Sequence, residues 1–129
     1  MADTPATGSI GWVDLTVENA DSIRDFYAAV AGWTPAPLDM GGYNDYVMQN
    51  SAGAPVAGVC NARGANEGLP NAWLVYITVP DVDAAAAKCV ELGGRLVQPV
   101  RSAGNYGSFC VIADPSGAVC ALFQAAKSE

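Results

Sequence analysis

The chain is written twice. Trp12-Val13-Asp14-Leu15-Thr16-Val17 is echoed by Leu74-Val75-Tyr76-Ile77-Thr78-Val79, Asp21 by Asp83, Gly32 by Gly94, and Asn50-Ser51-Ala52-Gly53 by Asp114-Pro115-Ser116-Gly117. Identity between the copies is thin, but the physical signals come in the same order, which marks a duplicated supersecondary unit. Each copy opens with a β-branched and aromatic run that predicts a strand. Asn19 and Asp81 follow as helix N-caps, with Asp21 and Asp83 in the first turn, where a carboxylate suits the helix dipole. Apolar residues then recur at i, i+3, i+4 and i+7: Ile23, Phe26, Tyr27 and Val30 in one copy, Val82, Ala85, Ala86 and Cys89 in the other. That spacing predicts one buried stripe per helix. Gly32 and the pair Gly93-Gly94 are expected to stop the helices in a left-handed conformation.

After each helix the pattern predicts a strand (34–37 and 95–100) and then a hairpin. The hairpin strands are 45–49 and 55–60 around the Asn50 turn, and 108–113 and 118–123 around the Asp114 turn. The chain thus reads βαβββ twice, as a single domain with modules at about 9–63 and 71–125. Residues 64–70, rich in Gly, Asn and Pro, are the expected linker. One unit of about 60 residues leaves a sheet face uncovered and is marginal alone. The expected fold is therefore α+β: two βαβββ modules forming a curved, incompletely closed mixed sheet around a cleft, with the helices outside.

Composition narrows the chemistry. With 129 residues, 51% apolar and 15% charged, the chain has material for one core and is not a disordered segment. Its net charge of −7 opposes binding to a phosphate backbone, so no nucleic-acid partner is expected. Arg24, Arg63, Arg95 and Arg101 form no cluster that would suggest a phosphate pocket. There is no histidine, which excludes Ser–His–Asp triads, two-His-one-carboxylate centres and HExxH helices. Cys60, Cys89, Cys110 and Cys120 include no CxxC pair, so reduced, mostly buried and inert thiols are expected rather than a zinc ribbon. Residues 1–9 carry no basic stretch leading into an apolar run, and no apolar run reaches the roughly 18 residues that cross a bilayer. The expectation is a cytoplasmic protein with no membrane partner.

Asp25-Phe26-Tyr27 followed by Gly32-Trp33, and Asp114-Pro115-Ser116-Gly117-Ala118-Val119 before a last apolar strand, resemble the vicinal oxygen chelate superfamily. That superfamily includes glyoxalase I, bleomycin- and fosfomycin-resistance proteins and extradiol dioxygenases. The resemblance runs over residues 9–124 and is closest to the small glyoxalase-like branch that opens with Trp-Val-Asp-Leu. It implies metal ligands on the first and last strand of each module, positions that fall here on Trp12, Ala57, Leu74 and Ala121. An indole N–H only donates and the other three are apolar, so no metal and no cofactor are expected. A slip of one residue brings Asp14 or Tyr76 nearer without restoring a ligand set.

The resemblance also implies that Trp12, Asp14, Thr16, Leu74, Tyr76 and Thr78 face the cleft, while Val13, Leu15, Val75 and Ile77 pack beneath the helices. Trp12, Asp14 and Tyr76 then form an aromatic floor with one carboxylate, suited to a cationic or hydrogen-bonding ligand. The competing reading is that these side chains fill the space of a lost metal. Tyr43, Tyr46, Tyr106 and Phe109 are candidate walls, against a plainer role in hairpin packing. Trp33 and Trp73 are assigned to the core. The expected function is metal-free binding of a small organic molecule in the inter-module cleft by a homodimer, as in bleomycin-resistance proteins. The alternative is a lyase, isomerase or dioxygenase with a non-standard metal site.

Overall fold

The computed structural model describes residues 6–126. Its elements follow the duplicated order: β1 (Ile10–Val17), α1 (Ala20–Ala31), β2 (Thr34–Asp39), β3 (Asn44–Gln49) and β4 (Pro55–Asn61), then β5 (Trp73–Thr78), α2 (Val82–Glu91), β6 (Arg95–Ser102), β7 (Gly107–Ala113) and β8 (Val119–Ala125). Short 3₁₀ turns at Gly64–Asn66 and Gly104–Tyr106 complete the list. No helix among the described residues is long and apolar enough to cross a membrane.

The chain forms two compact units. The first is Trp12–Trp73; the second combines the described residues up to Gly11 with those from Leu74 onward. In the first unit β1 runs parallel to β4, with Asp14 opposite Gly58 and Leu15 opposite Val59. Strands β4 and β3, then β3 and β2, pair antiparallel. In the second unit β5 runs parallel to β8, with Tyr76 opposite Ala121 and Ile77 opposite Leu122, and β8–β7 and β7–β6 pair antiparallel. Each unit is the same four-stranded mixed sheet.

The local signals explain the elements. Asn19 Oδ1 accepts from the Ser22 amide at 3.3 Å and Asp81 Oδ1 from the Ala84 amide at 3.1 Å, as N-caps do. Gly32 closes α1 in the left-handed region at φ 75°. The two hairpin turns are built alike: Asn50 Oδ1 accepts from the amides of Ala52 and Ala54, and Asp114 Oδ1 from those of Ser116 and Ala118. One short polar side chain thereby organises each connection.

Each sheet buries one face against its helix. Leu15, Val17, Ala20, Tyr46, Met48 and Val59 form the first core, with Ile23, Tyr27, Trp33 and Trp73 packed against it. Val82, Ala86, Cys110 and Leu122 form the second, with Ile77, Val79, Ala85, Val100 and Ile112 around them. The rings of Tyr27, Trp33 and Trp73 cluster with centroids 5.3 to 5.7 Å apart, and Trp73 Nε1 donates to the Tyr27 hydroxyl. Trp33 and Trp73 thus belong to the core, as their apolar contexts suggest.

Two helix expectations need correction. Phe26 and Val30 are 53% and 67% exposed, so they are not part of a buried stripe. The inward side of α1 is Ala20, Ile23 and Tyr27 with Arg24, whose guanidinium reaches the Tyr46 hydroxyl at 2.8 Å and so fixes the helix rotation. At the end of α2 only Gly93 has a positive φ, 98°. Gly94 is required for space instead: a Cβ there would lie 2.6 Å from the Cys89 sulfur and 2.8 Å from the Ala113 carbonyl oxygen.

Candidate binding site

On a strand, alternate side chains leave opposite faces, and residues paired across a ladder share a face. Leu15, Val59, Tyr46 and Met48 therefore mark the helix side of the first unit. Trp12, Asp14, Gly58, Cys60 and Val47 mark its other side. There Trp12 Nε1 donates to Asp14 Oδ1 at 2.5 Å. Gly58 makes room for this pair, because a Cβ on it would collide with the Asp14 carboxylate and touch the Trp12 indole nitrogen. Beside them Asp45, itself buried, accepts from the Asn61 backbone and side-chain amides, each at 2.9 Å. Burial pushes the Cys60 thiol far above its ordinary value, and Asp14 and Asp45 reinforce the shift, the latter by accepting the thiol proton. Cys60 is thus a protonated donor here, not a nucleophile.

In the second unit the side away from α2 carries Tyr76, Ala121, Val111, Phe109 and Phe123. Tyr76 and Phe109 lie with ring centroids 6.0 Å apart, and the Arg101 guanidinium sits 4.7 Å from the centroid of Phe109. Leu74, Val111 and Ala121 are buried, while Tyr76, Phe109 and Phe123 are half-exposed. Burial raises the Cys110 thiol to about 11 and also lifts that of Cys120.

The structure thus joins Trp12 with Asp14, and Tyr76 with Phe109. Tyr46 does not line this side: its hydroxyl donates to Asp21 at 2.7 Å beneath α1, and the side chain is buried in the helix-side core. Tyr43 instead carries the Arg63 guanidinium 4.6 Å above its ring, and Tyr106 is 78% exposed on its 3₁₀ turn. Ala57 also faces the helix side, since it pairs with Met48. A bulge between Met48 and Gln49 adds one residue to β4, so the counterpart of Ala121 is Gly58. Gly58 and Asp45 escaped the sequence reading, and Arg101 was read there only as an arginine outside any cluster. A glycine inside a strand run was the available signal for the first.

The residues do not fit a chelated metal. Trp12, Gly58, Leu74 and Ala121 offer no lone pair from a side chain that ligates, and no group of three or more His, Cys, Asp or Glu among the described residues is placed to hold an ion.

These features define a vicinal-oxygen-chelate fold. Methylmalonyl-CoA epimerase from Mycobacterium tuberculosis superposes with a TM-score of 0.62 at 18% identity, covering 98% of this chain and 94% of that one. The family described as the glyoxalase-like domain matches residues 12–123, and the chain belongs to it. A Mycobacterium tuberculosis protein named "Putative glyoxylase CFP32" is 37% identical over 123 residues, covering 92% of this chain and 46% of that protein. The anthracycline biosynthesis protein DauV of Streptomyces sp. strain C5 is 28% identical over 136 residues, covering 96% of this chain and 50% of that one. The chain spans about half the length of the curated relatives it matches.

Proposed function

We propose that this glyoxalase-like protein binds a small organic molecule without a metal, using the helix-free side of its first unit, and that Trp12 and Asp14 anchor the ligand. The carrying observation is the carboxylate of Asp14, oriented by an indole donor and accommodated by the missing side chain of Gly58. A fixed carboxylate beside an aromatic face selects a protonated amine or a strong hydrogen-bond donor. The test is a thermal-shift and calorimetric panel of aromatic amines alongside their neutral amide counterparts. The amines should raise the melting temperature, by the stabilisation of about 2.7 kcal/mol expected at a hundredfold excess over Kd. Asp14→Asn should abolish that gain. A panel in which no amine stabilises the protein, or in which Asp14→Asn responds as the parent does, defeats the reading.

The four cysteines are free thiols, which supports a reducing, cytoplasmic setting. Phe26 and Val30, exposed one turn apart on α1, support the proposal of a homodimer, which light scattering reads directly. The enzymatic alternative draws on neighbours such as the epimerase. Stoichiometric Fe, Mn, Ni or Zn in protein purified without chelators would favour it.

A further inference from the structure

Strand β2 pairs with β3 on one side and ends the sheet on the other. A terminal strand leaves a row of backbone donors and acceptors unpaired, and that row is a template for a strand from another molecule. In most respects β2 suits such a template. Its ladder to β3 runs without a register shift from Thr34 opposite Gln49 to Asp39 opposite Asn44. Its sequence, Thr-Pro-Ala-Pro-Leu-Asp, holds no lysine or arginine, and Leu38 is 50% exposed. The exception is the pair of prolines. In an antiparallel ladder, alternate residues turn their amides toward the partner strand and away from it. Proline has no amide hydrogen, so a ladder that sets Pro35 opposite Met48 and Pro37 opposite Tyr46 draws its β2 donors from the intervening residues. The outward-pointing positions are then 35, 37 and 39, and the first two have no donor to offer. The outer strand of the second unit, β6, is interrupted differently: its ladder to β7 shifts register between Leu96 and Gln98 and again between Gln98 and Arg101, with Pro99 inside the second shift.

We infer that Pro35 and Pro37 close the outer edge of the first unit to strand addition by a second copy of this chain or by any extended peptide. An incoming antiparallel strand needs an amide and a carbonyl from each outward residue of the edge. Here it meets the carbonyls of Pro35 and Pro37 without the amides that would complete each pair. The inward donors of β2 are untouched, so the strand keeps its ladder to β3 while refusing a further partner. Contact between copies of this chain is thereby directed away from this edge.

The inference stands apart from ligand binding, because edge variants leave Trp12 and Asp14 in place. The test restores the missing donors by combining Pro35→Val with Pro37→Val in the full chain. Ala36→Val is the control: it raises strand propensity on the same edge without adding an outward donor. Light scattering over a concentration series should show the double variant rising above the mass of the parent by about twofold or more, the first step being two edges joined across a two-fold axis. Ala36→Val should keep the mass of the parent. Residue-resolved amide exchange should find the new amides at 35 and 37 unprotected in dilute solution and protected once the protein associates. Should the double variant lose its far-UV circular dichroism, the same masses and exchange rates are read on each single variant, which supplies one donor and should associate less. Folded proline variants that hold the mass of the parent throughout overturn the inference. Equal association of Ala36→Val does so too, as do amides at 35 and 37 already protected in dilute solution, which would place them toward β3.

Discussion

The two units share a frame and differ in what they hang on it. At the same ladder position under the helix, the first unit has Tyr46, opposite Val59, and the second has Cys110, opposite Leu122. Tyr46 reaches α1 through Asp21 and Arg24, whereas Cys110 packs under an alanine-rich α2 through Val82 and Ala86. On the opposite side the first unit presents Asp14, Asp45 and Trp12, and the second presents Arg101, Phe109 and Tyr76. What both units keep is local: a capped helix start, a helix-side core and an Asx-organised turn. Duplication preserves the local caps and turns and frees the side chains on the helix-free side.

The largest test of this contrast lies in the core. Tyr46→Ala should cost about 3 to 5 kcal/mol, as large aromatic deletions do. Cys110→Ala should cost about 1 kcal/mol, the typical effect of a small change. Urea unfolding followed by tryptophan fluorescence reads both, and similar losses would show that the two helices are held alike. Next comes Gly58→Ala, which drives a methyl into the Asp14 carboxylate and should cost about 1 to 3 kcal/mol by overpacking. Its counterpart Ala121→Gly should cost about 0.5 to 1 kcal/mol, the backbone entropy of a strand glycine. Nearly equal midpoints for these variants would mean that Asp14 moves freely.

The smallest effect separates the turns by pH. Hydrogen bonds from the Ser116 hydroxyl and amide, with the Ala118 amide behind them, hold the Asp114 carboxyl below its ordinary value. A carboxylate lowered in the folded state adds stability above its unfolded value, and that stability is lost as pH falls through the folded value. The Asn50 turn has no such titration. Asp114→Asn should therefore weaken the acid dependence of the unfolding midpoint below about pH 4, near the ordinary carboxylate value, while Asn50→Asp should add to it. Parallel acid limbs in parent and Asp114→Asn would refute the assignment.

Much of the frame was legible because its signals are local. Asn19, Asp81, Gly32 and the two turns act within a few residues of themselves. The site was less legible because faces depend on register. Counting from the turn placed Ala57 against Ala121, and the bulge after Met48 moved Gly58 into that place. Phe26 and Val30 fit the helical period as well as Ala20 and Ile23 do. The choice between the two stripes rests on Tyr46, two strands away, and no periodicity within α1 contains it.

The boundary between the units falls inside a strand. Gly8 donates to the Thr78 carbonyl and the Thr78 amide donates to Ser9, while the chain from Trp12 onward serves the first unit. During synthesis the first unit has all of its partners before Thr78 exists, and residues 8 to 11 must wait for the second half to emerge. A gene split at the 64–70 segment therefore does not release two separate modules. It leaves residues 8 to 11, which belong with the second unit, on the fragment that carries the first.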